Sequence, residues 1–387
     1  MLIFFVLVEF LIKGFVYSAP APRFEEQTLD KNLSIGYGLA IGDVDGDQKP
    51  DILLADQKQF VWYRNGDWKR FVLAENLTER DNVCIAARDL NKDGKVEIAV
   101  GAQWNPGETS DTIQSGAVFY LIRPQDPTQK WEAVRLPHEP TVHRMRWVKA
   151  ANGAAYLVVV PLHGRGNKNG EGKGVKIQAY QLPTNPRQTW PIFIVDDNLH
   201  LTHNLEVAET KNASRTDLYV ASKEGIRLLT GLNPQQATSQ TVKITGVEQA
   251  AGEVRLGKGK GNQKFLATIE PMHGTTLAVH LLGNTPTRQV LDENLKEGHA
   301  LATADVLGLG YDQVVAGWRI PNAENNVGVK LYVPGNQPSK PWQSFWIDEN
   351  GMATEDLQVH DLNADGKPDI IAAGRATKNL KIYWNKS

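Results

Sequence analysis

The stretch Ala40–Asp51, AIGDVDGDQKPD, decides the fold. A short apolar run enters an acidic turn, Asp43-x-Asp45-x-Asp47-x-x-x-Asp51, and a second apolar run, Ile52-Leu53-Leu54-Ala55, leaves it. The phrase returns as Asp89-Leu-Asn91-Lys-Asp93-Gly94-x-x-Glu97 and as Asp361-Leu-Asn363-Ala-Asp365-Gly366-x-x-Asp369. Self-similarity of this kind marks a repeat architecture, in which a small unit that cannot bury its apolar faces alone stacks on its neighbours.

Upstream of the apolar runs lies a second recurring phrase, an outer strand and a polar link. It runs from Phe24 to Tyr37, Trp68 to Val83, Trp131 to His143, Trp190 to His203 and Trp342 to Glu355, with further copies ending at Glu253 and His299. Downstream comes another strand: FVWYR, AVFYLIR, VKIQAYQ, IRLLT, TLAVHLL, VKLYV and LKIYW. Each unit is therefore four short strands of period-two alternation, bounded by Gly, Pro, Asn and Asp. Seven such units predict an all-β chain folded as a seven-bladed β-propeller with four-stranded blades. The last unit stops after its third strand, Leu380–Trp384, while Phe24–Leu29 stands alone at the start. The N-terminal strand is thus expected to complete the last blade.

Charge is nearly balanced, at -2, with no basic run, so no nucleic-acid partner is expected. Residues 1–18, MLIFFVLVEFLIKGFVYS, are apolar and precede the small residues Ala19-Pro-Ala21-Pro22. They read as a secretory signal cut after Ser18, leaving 19–387 as one propeller domain, secreted or periplasmic. No other long apolar run exists, so no membrane contact is expected beyond that segment. The single cysteine, Cys84, excludes an internal disulfide, and stability must come from packing and bound metal. Oligomeric state is not legible.

The turns DVDGDQKPD, DLNKDGKVE and DLNADGKPD resemble the FG-GAP/VCBS repeats of integrin-α-like propellers. The middle of the chain, LPHEPTVHRMRW, VVVPLHGRGNKNGEGKGVKI and LHLTHNLEV, is similar to the propeller domain of aldos-2-ulose dehydratases. That family eliminates water from oxidised sugars. The resemblance covers most of the chain, without the cupin domains of the fungal enzymes.

In the three full turns, carboxylates and amides at alternate positions suit Ca²⁺, which takes six to eight oxygens. The candidate ligands are Asp43, Asp45, Asp47 and Asp51, then Asp89, Asn91, Asp93 and Glu97, then Asp361, Asn363, Asp365 and Asp369. The plainer alternative is a hairpin turn whose Asp and Asn side chains bond their own backbone. Either role is structural.

Counting back six residues from each turn crosses about 20 Å of strand and reaches the opposite face of the disc. The positions reached are Tyr37, Val83, His143, His203, Glu253, His299 and Glu355. These strand starts surround a propeller's central opening and should converge. Arg144 and Asn204 adjoin them, and loops on the same face contribute Trp104, His163, Arg165, His273, Trp318, Arg319 and Arg375.

Two chemistries suit this set. His143, His203 and His299 can bind a transition metal such as Zn²⁺. A histidine can instead take a proton beside a sugar carbonyl while arginines hold the enolate. The resemblance favours the second, alone or combined with the first. It implies His143 as base, His203 and His163 as orienting or metal-binding groups, and Arg144 and Arg319 on the enolate oxygen, with Glu253 assisting. Substrate binding falls to Arg165, Trp104, Trp318, Asn204, His273, Arg375 and Tyr37. The expected activity is β-elimination, by a carbon–oxygen lyase, on an oxidised sugar or uronate-containing glycan. The alternative is a non-catalytic, Ca²⁺-stabilised carbohydrate- or protein-binding propeller of the adhesion type.

Overall fold

The computed structural model describes residues 21–150, 153–209, 216–233, 240–244, 246–283, 286–335 and 340–387. The signal segment, 1–18, and parts of the eroded turns at 149–153 and 209–217 lie outside the described residues. Seven antiparallel sheets of four strands each make a seven-bladed propeller. Six blades use four consecutive strands. The seventh combines Thr354–His360, Asp369–Gly374 and Leu380–Asn385 with the N-terminal strand Phe24–Asp30. The registers Phe24↔Asn385 and Asp30↔Leu380 close the ring as the sequence predicts.

The apolar runs explain the stacking. Successive strand side chains point to opposite faces, so a strand covered on both faces must be apolar throughout. In the strand Asp51–Ala55, Leu53 and Ala55 pack toward the second blade, while Ile52 and Leu54 pack toward the seventh. The same division makes one apolar cluster at each of the seven blade interfaces. The core is therefore a ring of sandwiches around a central channel. The only helix among the described residues is a single 3₁₀ turn, Lys260–Asn262.

The innermost strands are Gly38–Gly42, Cys84–Arg88, Val142–Lys149, Thr202–Glu209, Glu253–Lys258, Gly298–Ala304 and Thr354–His360. Acidic turns follow three of them, on the face opposite to the strand starts. The last acid of each turn is a backbone clamp. Asp51 accepts the N–H of Val44 at 2.8 Å, Glu97 that of Leu90 at 2.7 Å and Asp369 that of Leu362 at 3.1 Å. Asp43, Asp89 and Asp361 likewise accept backbone N–H groups of their own turns. Among the described residues, oxygens of Asp43, Asp45 and Asp51 lie within 4.8 Å of one another, close enough to share a cation. Asp47 instead pairs with Lys49 at 3.5 Å. In the other two turns Asn91 and Asn363 donate to Asp93 and Asp365, each at 3.2 Å.

Candidate functional site

Four inner strands slip register at the position that the turn spacing singles out. The irregularities fall between Val142 and Arg144, Thr202 and Leu205, Gly298 and Ala300, and Thr354 and Asp356. They bracket His143, His203, His299 and Glu355. A bulge re-aims a side chain that regular alternation would send into a blade interface. All four side chains are buried where the inner strands begin.

Hydrogen bonds to the neighbouring blade fix the ring tautomers. Nδ1–H of His143 donates to the His203 carbonyl at 2.9 Å, that of His203 to the Gly252 carbonyl at 3.0 Å, and that of His299 to the Glu355 carbonyl at 2.5 Å. A carbonyl oxygen only accepts, so each of these Nδ1 atoms carries the proton and each neutral ring keeps its lone pair on Nε2. Metal-binding histidines are held in this way.

His203 and His299 meet a third ring, His273, from the loop after the strand Lys264–Glu270. Ring centroids are 4.4 Å apart for His203 and His273, 4.8 Å for His273 and His299, and 5.1 Å for His203 and His299. One ring nitrogen from each lies within 4.8 Å of the others. Unlike His203 and His299, His273 is exposed. Burial holds the histidines well below the ordinary imidazole range, with the charge of Arg144 adding for His143 and His203 and that of Arg319 for His299. His273 is pushed down to about 2 by burial, by His203 and by Arg319. Neutral rings at this spacing suit a transition-metal ion such as Zn²⁺.

Charged groups surround the rings. The Arg319 guanidinium donates to Glu297 at 2.7 Å, to His273 Nδ1 at 3.2 Å and to Glu355 at 3.4 Å. Arg375 donates to the other Glu355 oxygen at 3.1 Å and lies over the Tyr37 ring, whose hydroxyl donates to Asp81 at 3.1 Å. Glu253 accepts from Asn204 at 2.7 Å and pairs with Arg255 at 3.4 Å. Burial raises Glu253 and Glu355 above the usual carboxylate range, against the pull of Arg255 on the first and of Arg319 and Arg375 on the second.

The His273 loop is templated rather than free. A Cβ on Gly252 would stand 2.2 Å from the Met272 carbonyl oxygen, and one on Gly274 would stand 2.0 Å from that of Glu270. At the root of the loop, buried Glu270 accepts from Thr268 at 2.6 Å, from His280 at 2.8 Å and from Arg288 at 2.7 Å. His280 also donates to the Gly246 carbonyl at 3.0 Å, so both of its ring nitrogens are taken up in buried structure.

Several expected roles change. His143, expected as the base, lies under the Trp104 ring, with centroids 4.9 Å apart, and its Nε2 accepts from Arg144 at 3.2 Å. Its Nδ1 meets the His203 carbonyl, and the three-ring group within 4.8 Å forms without it, from His203, His273 and His299. Its place in the expected metal set passes to His273. Trp318 is 1% exposed, packs on Trp346 and donates its indole N–H to the Asn326 carbonyl, so it offers no stacking face. Asn204 is spent on Glu253. His163 makes no contact with the ring cluster; its backbone N–H donates to the Thr141 hydroxyl and its buried Nδ1 has no partner among the described residues. Arg165 pairs with Glu139 at 2.9 Å in a crevice of its own. Glu297 went unnoticed in the sequence, although it stands just before His299 in a link already known to reach this face.

The comparisons agree with the architecture. Residues 43–100 match the family described as FG-GAP-like repeat, and residues 115–282 match that described as aldos-2-ulose dehydratase, beta-propeller domain. The second segment contains His143, His203 and His273 and ends before His299. No curated protein matches the sequence. Among solved structures, BBS1N in complex with ARL6DN, soaked with mercury, is similar with a TM-score of 0.57 at 13% identity, covering 94% of this chain and 96% of that one. The WD40 beta propeller domain of Doa1 gives 0.55 at 9% identity over the same shares. A chain of the Mitotic Checkpoint Complex gives 0.56 at 11% identity over 99% of both. At such identities the likeness is one of fold alone.

Proposed function

We propose that this propeller, related through its middle blades to the aldos-2-ulose dehydratase propeller domain, is a carbohydrate-active carbon–oxygen lyase. Its substrate is a sugar carrying a carbonyl or carboxylate beside the carbon that loses its proton, and its site is the histidine cluster. One observation supports this above the others: three neutral imidazoles, two with Nδ1 anchored on backbone carbonyls, meet at the channel mouth beside Arg319.

His203, His273 and His299 would hold a divalent metal, which supplies polarisation of the substrate carbonyl. The proteinaceous chemistry falls to Glu297 and Arg319. Glu297 keeps 44% of its side-chain surface and accepts from Arg319, which itself reaches His273. Its carboxylate takes the proton from the carbon next to the carbonyl, and the C–H electron pair moves onto the carbonyl oxygen. Arg319 and Arg375 stabilise that charge. The enolate then collapses, the C–O bond to the β-substituent breaks, and the leaving oxygen takes the proton back from Glu297. From a β-hydroxyl this releases water, balancing the elimination. Trp104, half-buried over His143, forms an apolar wall beside the site.

Export and structural Ca²⁺ at Asp43, Asp45 and Asp51 belong to the same proposal. A panel of oxidised monosaccharides and oligouronates, followed by the ultraviolet absorbance of the unsaturated product, tests it. Glu297→Gln should abolish product while leaving the fold and metal content intact. A wild-type protein that binds these sugars without converting any would instead support the adhesion-type role.

A further inference from the structure

On the strand-start face, between the second and third blades, lies a crevice of about 470 Å³ lined by Thr112, Arg135, Leu136, Pro137, His138 and Arg165. We infer that it binds an anionic sugar unit, carboxylated or sulfated, of a glycan that also occupies the histidine cluster. This rests on the carbohydrate reading above and narrows it to an acidic polymer.

The crevice is rich in hydrogen-bond donors. The exposed Arg135 guanidinium has no carboxylate partner within 4.0 Å among the described residues; its polar contact is His138 Nε2 at 3.4 Å, and it lies 5.7 Å from the Phe119 ring centroid. Arg165 uses Nε on Glu139, with a side chain 41% exposed. His138 donates Nδ1–H to the Glu139 carbonyl at 3.0 Å, so its Nε2 is the acceptor for Arg135 and it has no donor left. Lys176 adds a further cation on Glu139 at 3.5 Å. One buried carboxylate, Glu139, thus pairs with two cations, Arg165 and Lys176, while Arg135 adds a third with no carboxylate of its own, and what remains is a donor-rich rim. Such a rim suits a carboxylate or sulfate, which only accepts, better than a neutral hydroxylated sugar.

The surroundings point the same way. Leu136 and Pro137 supply an apolar floor, braced by the Tyr180 hydroxyl on the Pro137 carbonyl at 2.9 Å. Ile113, beside Thr112, is 74% exposed, the most exposed large hydrophobic side chain among the described residues, and offers an apolar rim. The acids of the neighbouring loop accept from their own backbone: Glu108 from the N–H groups of Ser110 and Asp111, and Asp111 from that of Ile113. The loop that carries Thr112 and Ile113 begins at Trp104, the ring stacked on His143, and is tied to the Arg165 loop by Gly166 N–H on Thr109 at 2.9 Å. One wall therefore serves both sites.

The test is calorimetric binding of an oligogalacturonate, a sulfated oligosaccharide and a neutral oligosaccharide of equal length to the wild type and to Arg135→Ala/Arg165→Ala. The inference predicts that at least one anionic oligomer binds, that the double variant weakens it about tenfold or more, and that the neutral oligomer is indifferent to the change. Equal affinity for neutral and anionic oligomers, or anionic binding unaltered by the substitutions, overturns it. Turnover of an oxidised monosaccharide serves as the control. If that turnover persists while no anionic oligomer binds, the inference fails and the lyase assignment survives. If His203→Ala binds and converts every sugar as the wild type does, the lyase site itself is wrong.

Discussion

His203 and His273 face each other Nε2 to Nε2 at 2.5 Å. His273 Nδ1 accepts from Arg319, so His273 carries its proton on Nε2 and donates it to the lone pair of His203. Charging either ring would set a cation against both Arg319 and its neighbour. The pair as it stands shares one proton; a metal ion held by both rings would replace that proton and require His273 to turn or to give up its bond from Arg319. On the metal reading, His203→Ala and His299→Ala should each lower divalent transition-metal content from about one per chain to a trace. Elemental analysis of the dialysed proteins checks this, with circular dichroism to show that the blades persist.

Gly252 couples two of the ligands. Its carbonyl fixes His203 and its missing side chain makes room for Met272. Gly252→Ala should displace the His273 loop and cost about 1–3 kcal/mol, the usual price of overpacking. Thermal melting reads the stability, and metal titration should show affinity falling further than in a surface Gly→Ala control such as Gly107→Ala, where a Cβ meets nothing within 4 Å.

Glu270 anchors the same loop from within its blade. Glu270→Gln leaves His280 and Arg288 without their carboxylate. Breaking a buried ion pair commonly costs about 3–5 kcal/mol. Arg288 keeps 35% of its surface, so the lower end of that range is expected. Urea denaturation measures the loss, and no change in midpoint would show that the network does not stabilise the blade.

Cys84 is buried in the second blade, and burial pushes its thiol from 9.0 up to about 12. The folded state therefore holds the thiol proton more tightly than the unfolded chain does. The stability this contributes is complete below about pH 9 and is lost as pH rises toward 12. A thiol reagent at pH 8 should label Cys84 only in denaturant. Rapid labelling of the native protein would contradict its placement.

The fold was legible almost in full, because a propeller is written locally. Each blade repeats the alternation seen in Asp51–Ala55, and the unpaired phrase at Phe24 implied the closing strand that pairs with Leu380–Asn385. The site was legible in part. Counting back from the turns located His143, His203, His299 and Glu355, because all four occupy one bulged strand position. Which of them keeps a lone pair toward the opening depends on where side chains such as Arg144 turn, here onto Nε2 of its own neighbour His143, and no residue spacing records that. His273 is legible as a loop residue of this face, but its meeting with His203 and His299 is not, and Glu297 stands in a link whose side chains no repeat aligns. Trp318 misled because a tryptophan at a strand end reads alike whether it packs inward, as here on Trp346, or outward.

The most direct measurement is the metal dependence of elimination by the purified wild-type protein, followed as the ultraviolet absorbance of the unsaturated sugar. Product should form from an oxidised sugar, cease after chelation, return on adding back the divalent metal, and be absent in His203→Ala under every condition. Full turnover by the metal-stripped protein, or by His203→Ala, would contradict the account.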